Sequence, residues 1–128
     1  NTYLCSSYAW DTAINFIQNT GTVNYSTTRD GLNENWLDKE VKDIYGKIIK
    51  EANKDTKLKT GKTTEKTNIF DMGGNVCEYT TEILPGTGEA VVLRGGGYNY
   101  SNPSGQRVDS STTYAFSTGG FRSTLFLK

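Results

Sequence analysis

The chain has 128 residues, the size of one domain, and its 14 glycines favour a loop-rich fold over a helical bundle. Basic and acidic residues number 14 each, so the formal net charge is zero and no overall basic field would attract nucleic acid or a membrane surface. The absence of histidine removes the commonest general base and the commonest transition-metal ligand. No apolar run is long enough to span a bilayer, and no signal-like start is visible.

The first predicted elements are a short strand or an extended entry over Thr2–Cys5 and a helix that follows it. Ser6 or Ser7 can cap the start of this helix, and Thr20 with Gly21 can end it. Apolar residues recur at helical spacing along one face, at Ala9, Trp10, Ala13, Ile14 and Ile17. We interpret Trp10 as a core anchor in preference to a side chain that stacks on a ligand.

A second helix is predicted from about Glu34 to Ala52. Its apolar stripe would consist of Leu37, Val41, Ile44, Tyr45 and Ile48. Oppositely charged residues four positions apart would lie on its solvent-facing side, at Asp38–Lys42, Asp43–Lys47 and Lys47–Glu51. Gly46 interrupts the pattern and weakens it. The Lys/Thr-rich segment Asn53–Lys66 is predicted to be a solvated loop.

The stretch Asn68–Thr80 combines a tight turn with a strand. Gly73, Gly74 and Asn75 tolerate backbone angles that most residues resist, which indicates the turn. Val76–Thr80 consists mostly of β-forming residues, which predicts the strand.

Two further strands are predicted near the C-terminus. Ala90–Leu93 is an apolar run typical of a buried strand, and Gly119–Lys128 is predicted to contain the last strand. Phe126 would lie on the outer face of that strand and need cover. The side chains predicted to face the core are Phe121, Leu125 and Leu127.

Residues 98–116 have the composition of a binding surface. Tyrosine offers large, rigid contact area, and Ser, Asn and Gly offer adaptable hydrogen bonds. Strand-forming segments bracket the region, so its loops would be displayed on a fixed scaffold. The candidate ligand-binding residues are Tyr100, Asn102, Gln106, Asp109, Tyr114 and Phe116. The alternative places Tyr98, Tyr100 and Tyr114 partly in the core, and we favour it for Tyr98, which continues a strand.

The two cysteines, Cys5 and Cys77, allow one disulfide bond, which the sequence alone does not establish. They are too few for an all-cysteine zinc site. The slightly favoured alternative is a pair of buried thiols that act as small hydrophobic side chains.

Four segments resemble, in the same order, sequence blocks of the formylglycine-generating-enzyme (sulfatase-modifying factor) family. Asn68–Thr80 is similar to the signature N-x-Y-D-M-x-G-N-V-W-E-W-T, with Phe70 for Tyr and with Cys77 and Tyr79 for the two Trp. The other three segments are the helix with Trp10, Val92–Tyr98, which resembles V-x-R-G-G-S-W/Y, and Gly120–Arg122, which resembles I-G-F-R.

The resemblance implies an α+β, C-type-lectin-like fold: two helices around a small, twisted, mostly antiparallel sheet with long loops. Composition and periodicity by themselves predict only a loop-rich α+β domain. Full family domains are considerably longer. We therefore expect residues 1–128 to form a single domain that is a trimmed variant or the C-terminal part of a longer protein.

The family's chemistry does not carry over to this chain. Formylglycine generation in the family uses copper on two thiolates that lie just after the R-G-G block, and residues 99–105 contain no cysteine. The related mercaptohistidine and ergothioneine synthases hold iron through histidine, which is absent. We expect no catalytic residue. The alternative is a formylglycine-type oxidase, or its accessory or remnant, whose cysteines come from elsewhere.

The resemblance also implies a structural calcium ion. Family members bind calcium beside the G-N-V-W-E block, which corresponds here to the carbonyls of Gly74 and Val76, Asn75 and the Glu78 carboxylate. The alternative is that Glu78 pairs with an arginine, Arg94 or Arg122, and the two interpretations carry equal weight.

The predicted function is non-enzymatic ligand recognition. The sequence is similar to the non-catalytic branch of this fold, which occurs in phage tail proteins and bacterial surface proteins, some of them diversified by retroelements. We expect an extracellular, virion or cell-surface location and a protein or glycan ligand on a cell surface. We expect neither nucleic-acid binding nor membrane insertion. The other partners that the prediction leaves open are a second copy of the chain and upstream domains. A structural module of a larger surface protein is the third hypothesis.

Overall fold

A computed structural model describes residues 2–21, 24–27, 34–59, 69–86, 90–99, 102–111 and 117–125. In chain order these residues form β1 (Thr2–Leu4), α1 (Ser7–Asn19), β2 (Val41–Lys42), β3 (Ile48–Lys50), β4 (Cys77–Ile83), β5 (Ala90–Arg94), β6 (Val108–Ser111), β7 (Gly119–Phe121) and β8 (Ser123–Leu125). No helix in the described ranges has the length and apolar character that a membrane span requires.

The central sheet is mixed and has the strand order β6-β5-β4-β7. Strand β4 pairs with β5 antiparallel and with β7 parallel, and β6 continues the sheet from β5. Two further two-stranded sheets are antiparallel: β1 pairs with β8, and β2 pairs with β3. The β4–β5 register shifts between Tyr79 and Ile83, so the pairing of these two central strands is irregular there.

The first helix forms as predicted. Ser6 caps it, and its hydroxyl accepts a hydrogen bond of 3.1 Å from the Ala9 backbone N–H. Trp10, Ile14 and Ile17 are buried along one face and pack with Cys5, Tyr25 and Met72. The interpretation of Trp10 as a core anchor is therefore confirmed, since only 1% of its surface is exposed.

The prediction of two helices around a small sheet is wrong, because the described residues contain one short helix and are otherwise mostly strand. The predicted second helix, Glu34–Ala52, contains instead the hairpin β2–β3. The Asp43 carboxylate accepts hydrogen bonds from the backbone N–H groups of Tyr45 and Lys47, and Gly46 has φ +83°. These local bonds give the backbone an alternative to helical pairing. The predicted apolar stripe is lost with the helix, and Ile44 and Tyr45 are exposed at the turn.

Lys50 organises the segment around this hairpin. Its side chain is buried, and its ammonium donates hydrogen bonds of 2.8 Å to the Trp36 carbonyl and 2.9 Å to the Lys39 carbonyl, with a longer one of 3.5 Å to Leu37. Burial lowers the pKa of this ammonium, and the charge of Asp38 opposes that effect. The irregular loop 36–39 is therefore held by this cation together with two backbone bonds, from the Lys39 N–H to the Trp36 carbonyl and from the Asn53 N–H to the Leu37 carbonyl.

We expect Lys50→Met to destabilise the protein by about 2–4 kcal/mol, since it removes the buried cation and its hydrogen bonds to the Trp36 and Lys39 carbonyls. Urea denaturation of the purified variant measures the loss. Lys47→Met, at an exposed position of the same hairpin, is the matched control and should stay within about 0.5 kcal/mol of the parent protein. Equal stability of the two variants would contradict the role of Lys50.

The C-terminal strands are present, but the prediction that Phe121 and Leu125 face the core is wrong. Phe121 is 74% exposed and Leu125 is 65% exposed. Side chains alternate along a strand, and here the inward positions belong to Gly120 and Arg122. Leu127 and Phe126 lie outside the described residues.

The remaining predicted strands are confirmed by β1, β4 and β5. Cys5 and Cys77 are both buried free thiols, which confirms the interpretation as small hydrophobic side chains. The Cys77 thiol donates a hydrogen bond of 3.1 Å to the Thr118 carbonyl. Tyr98 is buried, as predicted, and the described part of the predicted loop Asn53–Lys66 is mostly exposed.

Candidate functional site

Asn75, at the end of the glycine turn, ties three segments together. Its backbone has φ +59°, and its N–H donates to the Asn35 carbonyl at 2.8 Å. Its side-chain oxygen accepts hydrogen bonds from the Asn35 amide and from the Leu58 backbone N–H. Its own carbonyl accepts from the Tyr98 N–H at 2.8 Å. The turn therefore fixes where the chain leaves β5 and enters the polar C-terminal segment.

Glu78 and Arg122 form the main ion pair beneath this turn. The Arg122 Nε and Nη2 atoms each lie 3.0 Å from one oxygen of the Glu78 carboxylate, a side-on geometry. The guanidinium also donates to the Phe70 and Asp71 carbonyls and lies 5.6 Å from the centroid of the Trp10 ring. Burial raises the pKa of Glu78 to about 7, although the Arg122 charge acts in the opposite direction.

The geometry around the predicted calcium ligands agrees with the arginine alternative. The Glu78 carboxylate faces Arg122, and the Asn75 side-chain oxygen already accepts two hydrogen bonds, so these two side chains do not fit a calcium ion without rearrangement. Gly74 and Val76 lie beside them in the same turn. Among the described residues, no group of three or more His, Cys, Asp or Glu side chains could hold a metal ion. The calcium ion remains a prediction.

Arg94, at the end of β5, anchors the polar segment to the helix. Its side chain is 1% exposed, and its Nη2 atom donates to the Asp11 carboxylate at 2.5 Å and to the Gly105 carbonyl at 3.2 Å. The Nε and Nη1 atoms of this guanidinium are buried without a hydrogen-bond partner. Burying a cation with part of its hydrogen-bonding capacity unused costs free energy. In return, Arg94 holds the Gly105 backbone next to Asp11 of α1.

The segment 102–107 is fastened through backbone groups and the buried Ser104 side chain, and it leaves Gln106 and Arg107 exposed. The Ser104 hydroxyl donates to the Tyr25 carbonyl at 2.6 Å, and the Gly105 N–H donates to the Ser26 carbonyl at 2.9 Å. The Gln106 N–H closes a turn onto the Pro103 carbonyl at 3.0 Å. Gln106 and its two neighbours in space, Ser26 and Thr27, line a cleft of about 330 Å³ together with Pro103 and Gly105.

The structure places the candidate binding residues unequally. Gln106 is exposed and lines the cleft; Asn102 is half-buried on the same segment; Asp109 is exposed on β6. Neither Asn102 nor Asp109 lines the cleft. The other candidates, Tyr100, Tyr114 and Phe116, lie outside the described residues.

Sequence reasoning missed the contribution of Ser26 and Thr27 to this cleft. Asn24-Tyr25-Ser26-Thr27 has the same composition as the C-terminal segment, and that similarity was the available signal. Tyr25 is buried; burial first, and then the charge of Glu34, raises the pKa of its phenol, which donates a hydrogen bond to that carboxylate. The Ser26 N–H and hydroxyl both bond to the Gln18 side chain of α1. The cleft therefore has two walls that are each fixed to the same frame.

A solved structure of variable protein 1 from Treponema denticola is similar to this chain, with a TM-score of 0.66 and 20% identity. The two proteins share a fold. At this identity the likeness shows the fold alone, and the described architecture is compatible with a C-type-lectin-like fold. The match covers 95% of this chain but 46% of the other protein, so the chain spans less than half of that protein's length. No family model and no curated protein matches the chain, so these comparisons do not show membership of the formylglycine-generating-enzyme family.

Proposed function

We propose that this chain is a non-enzymatic recognition domain that binds its ligand through the C-terminal loop surface. The observation that carries the proposal is the fastening of segment 102–107. Arg94 and Ser26 hold that segment through the carbonyl and N–H of Gly105, and the Tyr25 carbonyl holds it through the buried Ser104 hydroxyl. Gln106 stays exposed at an open cleft. An exposed side chain such as Gln106 can then change without loosening the frame, which is the arrangement of a binding loop on a scaffold.

The name of the structural neighbour supports the same proposal. It is called a variable protein, and a fold that fixes its loops by backbone contacts suits a surface that varies. The finer form of the proposal is a phage tail or bacterial surface protein, diversified by a retroelement, located on a virion or outside the cell. Its ligand is a protein or a glycan on a cell surface. Sequences of close relatives test the diversification, which requires substitutions crowded into residues 98–116 on a constant frame.

Alanine at Tyr100, Gln106, Tyr114 and Phe116 together is expected to weaken binding by at least about tenfold. Binding is measured on a glycan array and on intact cells, and the melting temperature of each variant is recorded so that a loss of folding is distinguished from a loss of binding. The matched control is Ile44→Ala with Tyr45→Ala, which removes exposed large side chains from the β2–β3 turn. Its binding should equal that of the parent protein.

Unchanged binding by the loop variant, or an equal loss in the control, would overturn the assignment of the loop surface. The oxidase alternative is tested on the same preparation by copper-dependent oxygen consumption with a cysteine-containing peptide. The proposal expects no consumption above the blank. Arrays and cells that capture none of the parent protein would favour a structural module.

A further inference from the structure

A second cleft lies on the other side of the fastened segment. Its volume is about 340 Å³, at the lower end of the roughly 300–1,000 Å³ range of small-molecule sites. Gln106 faces the first cleft, and the next residue, Arg107, faces this one. The lining side chains come from the start of α1, from β4 and from the segment before β6; they are Ser6, Ser7, Tyr8, Asp11, Thr81, Glu82 and Arg107.

The charged side chains of this cleft are fixed by one another. The Arg107 Nη2 atom donates to Asp11 at 2.7 Å, and its Nε atom donates to Glu82 at 3.2 Å. The second oxygen of Asp11 is held from behind by the buried Arg94. A chain of four alternating charges therefore crosses the wall of the cleft, and its members are ordered before any ligand arrives.

Both carboxylates are held in the ionised form. Burial raises the pKa of Asp11, but the hydrogen bonds and charges of Arg94 and Arg107 outweigh it and lower that pKa below its usual value. The Ser7 hydroxyl, followed by Arg107, lowers the pKa of Glu82. The two carboxylates consequently act as strong hydrogen-bond acceptors.

The residues that β4 contributes to this cleft lie where its register with β5 shifts. Between Tyr79 and Ile83 the strand runs out of register with β5, and the Thr80 hydroxyl donates to the Val92 carbonyl at 2.9 Å. The Thr80 hydroxyl also lies 3.0 Å from the Ser7 hydroxyl of α1. Irregular pairing of this kind is common next to binding sites, and Thr81 and Glu82, which line the cleft, lie within it.

We propose that this cleft binds a small, neutral, polyhydroxylated ligand, such as one or two rings of a neutral glycan. The positive charges of Arg94 and Arg107 balance the negative charges of Asp11 and Glu82, so neither an anion nor a cation gains a net attraction. This proposal rests on the recognition function proposed above and names the ligand class of a separate cleft.

A sugar ring matches the chemistry that the cleft presents. Its neighbouring hydroxyls can donate to Asp11 and Glu82 and accept from the guanidinium of Arg107, which is 48% exposed. Tyr8 is 83% exposed and offers an aromatic face to the apolar side of the ring. Both kinds of contact are available without moving a buried group.

The test is a titration of the complete 128-residue chain with neutral disaccharides (maltose, cellobiose and lactose), followed by amide chemical shifts. We expect saturable shifts at Tyr8, Asp11, Thr81 and Arg107. Tyr8→Ala should weaken binding at least about tenfold without changing the melting temperature, because the side chain is exposed. The matched control is Phe16→Ala, another exposed aromatic residue of α1 that does not line the cleft.

Glucose 6-phosphate, spermidine and a neutral tripeptide are titrated in parallel. Tighter binding of any of these three probes than of the best disaccharide overturns the ligand class. Saturable shifts that Tyr8→Ala leaves unchanged overturn the location, as does the absence of shifts with every disaccharide. The proposed function fails separately: it is lost if the loop variant keeps cell and glycan-array binding, whatever Tyr8→Ala does.

Discussion

Gly96→Ala is expected to lower the free energy of unfolding by about 3–5 kcal/mol, a large share of the roughly 5–15 kcal/mol that holds a domain together. Gly96 has φ +70°, a conformation that costs a residue with a Cβ about 1–2 kcal/mol. A Cβ there would also lie 2.5 Å from the Trp36 ring and closer still to the Asn102 carbonyl. The buried ring and the backbone carbonyl cannot both move aside, so packing strain adds to the backbone strain.

Gly86→Ala is the matched control for this prediction. Gly86 has φ +81°, and a Cβ there would meet nothing within 4 Å. It carries the same backbone strain without the clash and should cost about 1–2 kcal/mol. Urea denaturation of both variants gives the difference. Equal losses would mean that the close packing of Gly96 against Asn102 and Trp36 does not stabilise the fold. They would also mean that this packing does not hold the segment 102–107 in place.

The parts of the fold that the sequence could predict are those decided by short-range patterns. Helix α1 combines a serine cap with apolar residues at helical spacing, and Ala90–Leu93 is a short apolar run. Each pattern specifies its element without information from the rest of the chain.

The hairpin β2–β3 shows why the second helix could not be excluded. The stripe from Leu37 to Ile48 has helical spacing, but the energetically decisive groups are Asp43, which folds the turn, and Lys50, which gathers distant carbonyls. A lysine in a polar segment reads as solvent-exposed by every local rule. Only the tertiary structure shows that its ammonium is buried and bonds to several backbone carbonyls.

The candidate site was predictable only in the part that a local composition pattern encodes. The composition of residues 98–116 pointed to Gln106, which does line a cleft. The opposing wall at Ser26 and Thr27 depends on a bond between the Gly105 N–H and the Ser26 carbonyl. It lies beside the bond between Ser104 and Tyr25, two residues that are 79 positions apart in the sequence. No local pattern encodes a contact of that separation, so half of the cleft was not foreseeable.

Arg122→Met is expected to cost about 3–5 kcal/mol near pH 8, because it leaves the buried Glu78 carboxylate without its cation. The variant also loses the hydrogen bonds to the Phe70 and Asp71 carbonyls and the contact with the Trp10 ring. Those losses are independent of pH, whereas the charge of Glu78 is not. The size of the effect should therefore change with pH in a direction fixed by the pKa of Glu78.

The sign follows from the folded pKa of about 7, which lies above the ordinary value of 4.5. A carboxyl with a raised pKa stabilises the fold most below pH 4.5, and its contribution falls as the pH rises through 7. Without Arg122 the pKa of Glu78 rises further, so the contribution keeps falling above that pH. The gap between parent and variant should be smallest near about pH 5 and widen toward about pH 8.

Denaturation of both proteins at several pH values measures that gap, and two further variants show its origin. Arg107→Met removes a half-exposed arginine that also pairs with carboxylates, and should cost less than about 1 kcal/mol. Glu78→Gln in the Arg122→Met background removes the buried charge and should flatten the pH dependence. A gap that stays constant from acid to alkaline pH would show that Arg122 does not neutralise Glu78, and would reopen the calcium alternative for that carboxylate.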